Sequence, residues 1–309
     1  CHNHSDSHSG GRCYLMSETL QSAISIIAYI VLAPFAGGLL SGIDRKVTAR
    51  MQGRQGPPIL QSFYDVGKLL KKETKFMNHI QIICHITFLV FVIFTGALFF
   101  GGFDLLLIFF ALTTANLFLV LAATTCNSPY ATMGANREMM QMLAYEPMVL
   151  ITAVGFYLST GSFKVKDIVE SNALPPIVYM PGVFVGFLFI LTIKLRKHPF
   201  DLSTSHHAHQ EMVKGLTTEF NGLTLVIVEI SHWYENIFLI GIIALFFINA
   251  NPWSIVVAIV ATSIAYFVEI LVDNTNARLK WKNMFRNAWM TTMIIGVINI
   301  FVLQVLKGV

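Results

Sequence analysis

Between Leu223 and Ile248, an otherwise apolar stretch keeps Glu229, His232, Glu235 and Asn236. Glu229, His232 and Asn236 fall at i, i+3 and i+7, one polar stripe of a helix, with Glu235 at its edge. Ionisable groups are expensive in lipid, so a chain that keeps them usually faces them toward protein or water and uses them. A carboxylate whose charged form is disfavoured by burial is suited to taking and giving a proton. Glu138, Glu146, Glu219 and Glu269 supply further acids for a relay. The plainer reading of Glu229 and His232 is a buried polar pair that ties helices together. Upstream, His198 opens a polar loop that contains Asp201, His206, His207, His209 and Glu211. Histidines titrating near pH 6.5 suit proton uptake or docking of a cytoplasmic partner. A metal is the weaker reading, because the fixed ligand spacings of zinc motifs are missing.

Composition decides the setting for these groups. The 309 residues are 55% hydrophobic and 12% charged, with mean hydropathy +0.64. Soluble domains carry about 25% charge, so this is a polytopic membrane protein. Cys1, Cys13, Cys84 and Cys126 form no CxxC pair, which argues against a cluster built from them. There is no phosphate-binding glycine loop, no haem or cluster ligand pattern and no nucleophile motif. Redox chemistry by this chain alone is therefore not expected.

The elements that must position the acids are read as one all-α membrane domain. Eight spans are expected, at about 20–43, 80–100, 105–123, 143–158, 177–193, 223–248, 255–272 and 288–305, behind a polar tail at 1–19. Spans two and three form a tight antiparallel hairpin with no charge inside either. Ile59, Phe63, Val66 and Leu70 recur at helical spacing among lysines, which predicts a cytoplasmic amphipathic helix in the interface plane. The links after spans one, three, five and seven carry 8, 1, 4 and 4 basic residues, 17 of the 21. The positive-inside rule puts those links in the cytoplasm and both termini outside the cell membrane. No internal repeat points to a carrier built from inverted halves.

Three motifs then fall in order. Asp44-Arg45-Lys46, Arg50-Met51-Gln52, Gly56-Pro57, Leu60-Gln61, Asp65 and Lys68 resemble the first cytoplasmic loop of the complex I membrane subunit that closes the quinone cavity. Gly134, Arg137, Tyr145 and Glu146 resemble its fourth helix. Pro199-Phe200-Asp201-Leu202 with Thr218-Glu219-Phe220 resembles its third loop. The resemblance covers roughly residues 20 to 306. The third loop departs from the quinone-using members and looks like that of energy-converting, Ech-type (group 4) [NiFe] hydrogenases. This resemblance implies a non-catalytic, ion-translocating anchor subunit of a ferredoxin-linked hydrogenase that pumps H⁺ or Na⁺. The alternative is the quinone-site subunit of a complex I-like dehydrogenase. It also implies that the [NiFe] centre and [4Fe-4S] clusters reside in partner subunits: the hydrogenase large and small subunits and a ferredoxin-like iron–sulfur subunit. An antiporter-like membrane subunit stands alongside. Glu146 and Glu219 carry over as acids of the proton path. Arg45 and Asp201 carry over as loop residues beneath the peripheral arm, and Arg50, Asp65, Lys68 and the histidine loop join that interface.

Overall fold

The computed structural model describes residues 6–73, 78–172, 174–197, 199–200, 203, 212–277 and 279–307, with side chains from residue 19 to residue 306. The first helix, α1 (Asp6–Met51), is 46 residues long, about 69 Å at 1.5 Å per residue. It absorbs most of the expected tail and the first turns of the expected loop. Once a span is nucleated, each added residue brings a hydrogen bond at little cost, and Arg45, Lys46, Ala49, Arg50 and Met51 are good helix formers. Just past its end, Gly53 adopts φ +68, the left-handed conformation that ends many helices.

The basic segment then folds back as α2 (Gln61–Leu70), the site of the expected amphipathic helix. It buries Ser62 and stacks Phe63 between Phe35 of α1 and Trp233, at 6.5 and 5.2 Å between ring centroids. The predicted hairpin forms as α3 (His79–Phe100) and α4 (Leu105–Thr124). Gly102 at φ +82 makes the turn, and Asp104 caps α4 by accepting from Leu106 N at 2.8 Å. Next, α5 (Pro129–Thr160) starts well before the expected span, with Pro129 in its first turn, where a missing N–H costs nothing.

The short helices α6 (Val165–Val169) and α7 (Pro176–Tyr179) lead into α8 (Pro181–Lys194). A 3₁₀ turn at Gly215–Thr217 precedes α9 (Gly222–Leu245) and α10 (Trp253–Thr275). The last span is α11 (Trp281–Thr291), a π segment (Thr292–Val297) and α12 (Ile298–Lys307). Asn221 and Thr224 start α9 with a reciprocal capping box.

Among the described residues seven helices are long and apolar enough to cross a membrane: α1, α3, α4, α5, α9, α10 and the α11–α12 run. The expected fifth span, 177–193, falls on α7 and α8, broken at Met180. At 14 residues, α8 reaches only about 21 Å, short of a hydrocarbon core of about 30 Å. At the centre of the bundle, α3 packs against α1, α4 and α9 around Phe88, Ile108, Leu119 and Phe238.

Candidate functional site

Because α8 is short, its C-terminus stops inside the bundle, and three bases leave it toward three different helices. Lys194 Nζ lies 3.4 Å from Glu235 Oε1 of α9, each side chain 6% exposed. Arg196, at φ +56, turns its guanidinium to within 3.5 Å of Glu138 Oε1 on α5. Lys197 Nζ donates to both carboxylate oxygens of Asp44 on α1, at 2.7 and 2.9 Å. Cations suit a helix C-terminus, where the carbonyl dipoles converge. Glu235 sits 13 residues into α9, about 20 Å along its axis from Gly222.

A polar lining surrounds the Lys194–Glu235 pair. Lys194 Nζ stands 4.2 Å over the Tyr145 ring, and the Tyr145 hydroxyl accepts from Asn116 Nδ2 at 3.2 Å. Ser203 Oγ donates to Glu138 Oε2. With Gln141, these groups enclose a cavity that has ≈ 10 Å³ of room for a water centre, about the space of one water molecule. Burying such pairs is not a stability device, since desolvation roughly cancels their attraction. The arrangement holds acids, a base, a phenol and an amide in contact, which is what a short proton or charge relay requires.

The other acids expected from sequence lie around this hub at different distances. Glu146 is half-buried and within electrostatic range of Lys194 and Tyr145. Glu229 is half-buried and senses Arg45 and Arg196. On the polar stripe of α9, therefore, Glu235 makes the direct ion pair. His232 instead turns toward Phe88 of α3, 6.3 Å between rings, and its Nε2 is buried without a hydrogen-bond partner. Glu269 on α10 is buried near Lys197 and Asp273, and its Oε2 also lacks a partner. Lys197 lies 5.3 Å from the Tyr266 ring, so the end of α8 connects the inner cluster to the face of α10. Glu219 stays half-buried, within range of Cys126.

In the first loop, Arg45 Nη1 donates to Asp65 Oδ2 at 2.7 Å and Gln61 Nε2 to Oδ1 at 2.8 Å, locking α2 to the end of α1. Partial desolvation works against the charged form of Asp65. The hydrogen bonds from Arg45 and Gln61, with the charges of Arg45 and Lys68, outweigh it and hold the carboxyl below its ordinary range. Arg50 and Lys68 are exposed on the same end of the molecule. Asp201, His206, His207, His209 and Glu211 lie outside the described residues.

A family model described as NADH dehydrogenase matches residues 24–304. The chain belongs to this NADH dehydrogenase family. The H subunit of the NADH-quinone oxidoreductase of Geobacillus sp. (strain WCH70) is 28% identical, with 91% of this chain and 92% of the relative covered. Hydrogenase-4 component C of Escherichia coli (strain K12) is 24% identical over 90% of this chain and 92% of the relative. A chain of the membrane-bound sulfane sulfur reductase, an archaeal respiratory membrane complex, shares the fold. Its TM-score is 0.79 at 23% identity, over 91% of this chain and 99% of that one. The resemblance to the complex I membrane subunit and to hydrogenase membrane subunits, read first from three motifs, therefore holds across the family match. The chain is a multi-pass membrane subunit of the complex I-like class.

Two parts of the site escape a reading from sequence. Lys194, Arg196 and Lys197 read as an ordinary basic link. The signal available for them is the shortness of the apolar run before them. His85 lies in a span read as free of charge, yet it is fully buried on α3. Its Nδ1 is 2.7 Å from the Gln81 carbonyl, which only accepts, so Nδ1 carries the proton; Nε2 is left without a partner beside Phe220. Gln81 also donates to Cys126 at 3.2 Å, joining α3 to the end of α4 below Glu219.

Proposed function

We propose that this chain is the ion-translocating membrane anchor of a ferredoxin-linked, energy-converting [NiFe] hydrogenase. The observation that carries the reading is the hub at the end of α8, where three bases engage acids from α1, α5 and α9 inside an apolar bundle. The chain itself does no redox chemistry. Partner subunits hold the [NiFe] centre and the [4Fe-4S] clusters and dock on the end that carries Arg45, Arg50, Asp65, Lys68 and the Asp201–Glu211 segment. An antiporter-like membrane subunit stands at the side. Both termini face outward across the cell membrane.

Charge arriving in the docked arm alters the third loop, which reaches the hub through the Ser203–Glu138 bond. Glu138, Arg196, Lys194 and Glu235 then exchange protons or partners. Glu219, Glu229, His232 and Glu146 extend the path on the inner side, and Glu269 extends it, through Lys197, to α10. What supports H⁺ or Na⁺ movement is that Glu146, Glu229, Glu235 and Glu269 lie on helices long and apolar enough to cross a membrane, and that His232 and Glu269 each keep a buried atom without a hydrogen-bond partner. What supports the hydrogenase branch is the third loop, together with similarity to a relative named hydrogenase-4 component C over nine-tenths of this chain.

Similarity to a membrane subunit of an NADH-quinone oxidoreductase favours a second reading, the quinone-site subunit of a respiratory dehydrogenase. One assay on the purified complex separates the two. Hydrogen evolution from reduced ferredoxin, with about one nickel per complex, supports the first. Electron transfer to added quinone without nickel overturns it. Within the hydrogenase branch, Glu146→Gln and Glu229→Gln are expected to assemble normally and to lose coupled pumping; wild-type coupling in both variants defeats the translocation proposal.

A further inference from the structure

The buried positions of α10 run from Ser254 through Ala258, Thr262, Ala265 and Tyr266 to Glu269, and this face packs against α1, α8 and α9. Small residues on one face of a membrane helix are the ordinary means of close packing. Two atoms on this face are not explained that way. Glu269 is 2% exposed and its Oε2 has no hydrogen-bond partner; Thr262 is 8% exposed and its Oγ1 has none either. A helical hydroxyl has a partner at hand in the carbonyl four residues back. On the same helix Ser263 and Thr275 use it, at 2.8 and 2.7 Å. Thr262 does not. A buried polar atom left unpaired costs stability, so both oxygens stand open at a cost to the fold. Thr262 and Glu269 are two turns apart and share a face, with about 10.5 Å of rise between them. Helical side chains lean toward the N-terminus, which brings the Glu269 carboxyl toward Thr262. Its reach and one or two waters, at about 2.8 Å per hydrogen bond, cover the interval, and Ala265 puts only a methyl group there.

We propose that Glu269 and Thr262 form a proton-conducting step along α10, in which Glu269 holds the proton and the Thr262 hydroxyl passes it on. The step moves one proton and no electron. The carboxyl O–H opens, its proton goes to water, and the water hands a proton to Thr262 Oγ1. The hydroxyl's own proton moves on toward the Trp253 end of the helix in the same shift. The carboxylate left behind lies within electrostatic range of Lys197 and Asp273, and it is reprotonated from that end. A hydroxyl is suited to this because it donates and accepts at once. The ion at this face is H⁺: two open oxygens two turns apart make a hydrogen-bonded chain, whereas a hard metal cation gathers about six oxygens around one point. The inference rests on the translocation reading above and is indifferent to which redox reaction drives it.

The test uses the intact complex in liposomes, with proton uptake and electron transfer followed together and thermal unfolding measured on the same preparations. Thr262→Val keeps the side-chain shape and removes the hydroxyl. Because that oxygen has no partner, the variant is expected to unfold no earlier than the wild type. A hydroxyl that only fills space leaves proton uptake intact in this variant. As a proton step, its loss is expected to slow coupled uptake about a hundredfold, the low end of what a positioned proton-transfer group contributes. Thr262→Ser, which returns a hydroxyl, is expected to recover it. Ser263→Ala, one residue along on the exposed face, is expected to change nothing. Full uptake in Thr262→Val, a loss that Thr262→Ser does not recover, or an equal loss in Ser263→Ala would each overturn the proposal. Uncoupled Glu146→Gln and Glu229→Gln beside a coupled Thr262→Val removes the α10 step and leaves the translocation reading standing. Wild-type coupling in all three removes both.

Discussion

At the scale of single residues, the hub is a balance between attraction and desolvation. Lys194 and Glu235 each lose hydration, and their direct pairing returns part of it, with the Tyr145 ring also facing Lys194. Removing one partner leaves an uncompensated buried charge, at a cost of about 3–5 kcal/mol, whereas replacing both with apolar groups of similar size is near neutral. Glu235→Gln is therefore expected to lower the unfolding midpoint of the purified subunit sharply. Lys194→Met with Glu235→Leu is expected to recover most of that loss while leaving coupled turnover dead. Thermal unfolding of Lys194→Met, Glu235→Leu and the double gives the coupling directly. A double variant as unstable as Glu235→Gln alone, or one that still couples, contradicts a working role for the pair.

At the scale of elements, glycine at two contacts decides where loops can go. A Cβ at Gly134 of α5 would fall on the backbone of Gly215 and Leu216, so α5 and the 3₁₀ turn meet there with no space between them. Gly134→Ala is expected to push that turn away and cost about 1–3 kcal/mol, the usual scale of overpacking. Faster proteolysis in the 199–221 segment reports it. Gly42 does the same for Ile59, whose carbonyl occupies the space a side chain would fill. The α2 helix is further held by Arg45–Asp65. Because the folded Asp65 carboxyl is held below its ordinary range, its contribution is complete above about pH 4 and fades as pH falls through the lower folded value. The pair is exposed, 44% and 39%, so it contributes less than about 1 kcal/mol. Hydrogen exchange of residues 61–70 is expected to be flat from pH 5 to 8 after correction for intrinsic rates, with protection declining below pH 4. Asp65→Asn is expected to remove that dependence.

At the scale of the whole molecule, the bundle has two chemically different ends. One gathers Arg45, Lys68, Arg196, Lys197 and Lys280, and the other is sparsely charged around Lys164, Lys166 and Glu170. The positive-inside rule then makes a directional prediction. In intact cells, with Cys1 and Cys13 replaced by serine, a cysteine replacing Lys164 is expected to react with an impermeant maleimide. A cysteine replacing Lys72 is expected to react only after the membrane is opened. The reverse pattern inverts the topology and removes the partner-docking reading from the basic end. The exposed faces of α10 and α12 are broad and apolar, with Ile259 at 62% and Phe301 at 66%, as helices meeting lipid or a membrane partner must be.

The linear pattern alone determined that the chain is helical and crosses a membrane, because apolar runs of twenty residues have one stable solution in lipid. It also determined the hairpin of α3 and α4, from a four-residue link, and the family, from two loop motifs and one helix motif in order. The acids could be named in advance because charge in an apolar run stands out. Which acid meets which base could not, since Lys194 and Glu235 are 41 residues apart and Lys197 and Asp44 are 153 apart. Those pairings depend on where α8 stops and which way Arg196 turns. The same holds for His85, whose ring meets Phe220, 135 residues further along the chain, at 4.3 Å between centroids. Periodicity reports which face of a helix is polar; only the packed bundle decides what stands opposite.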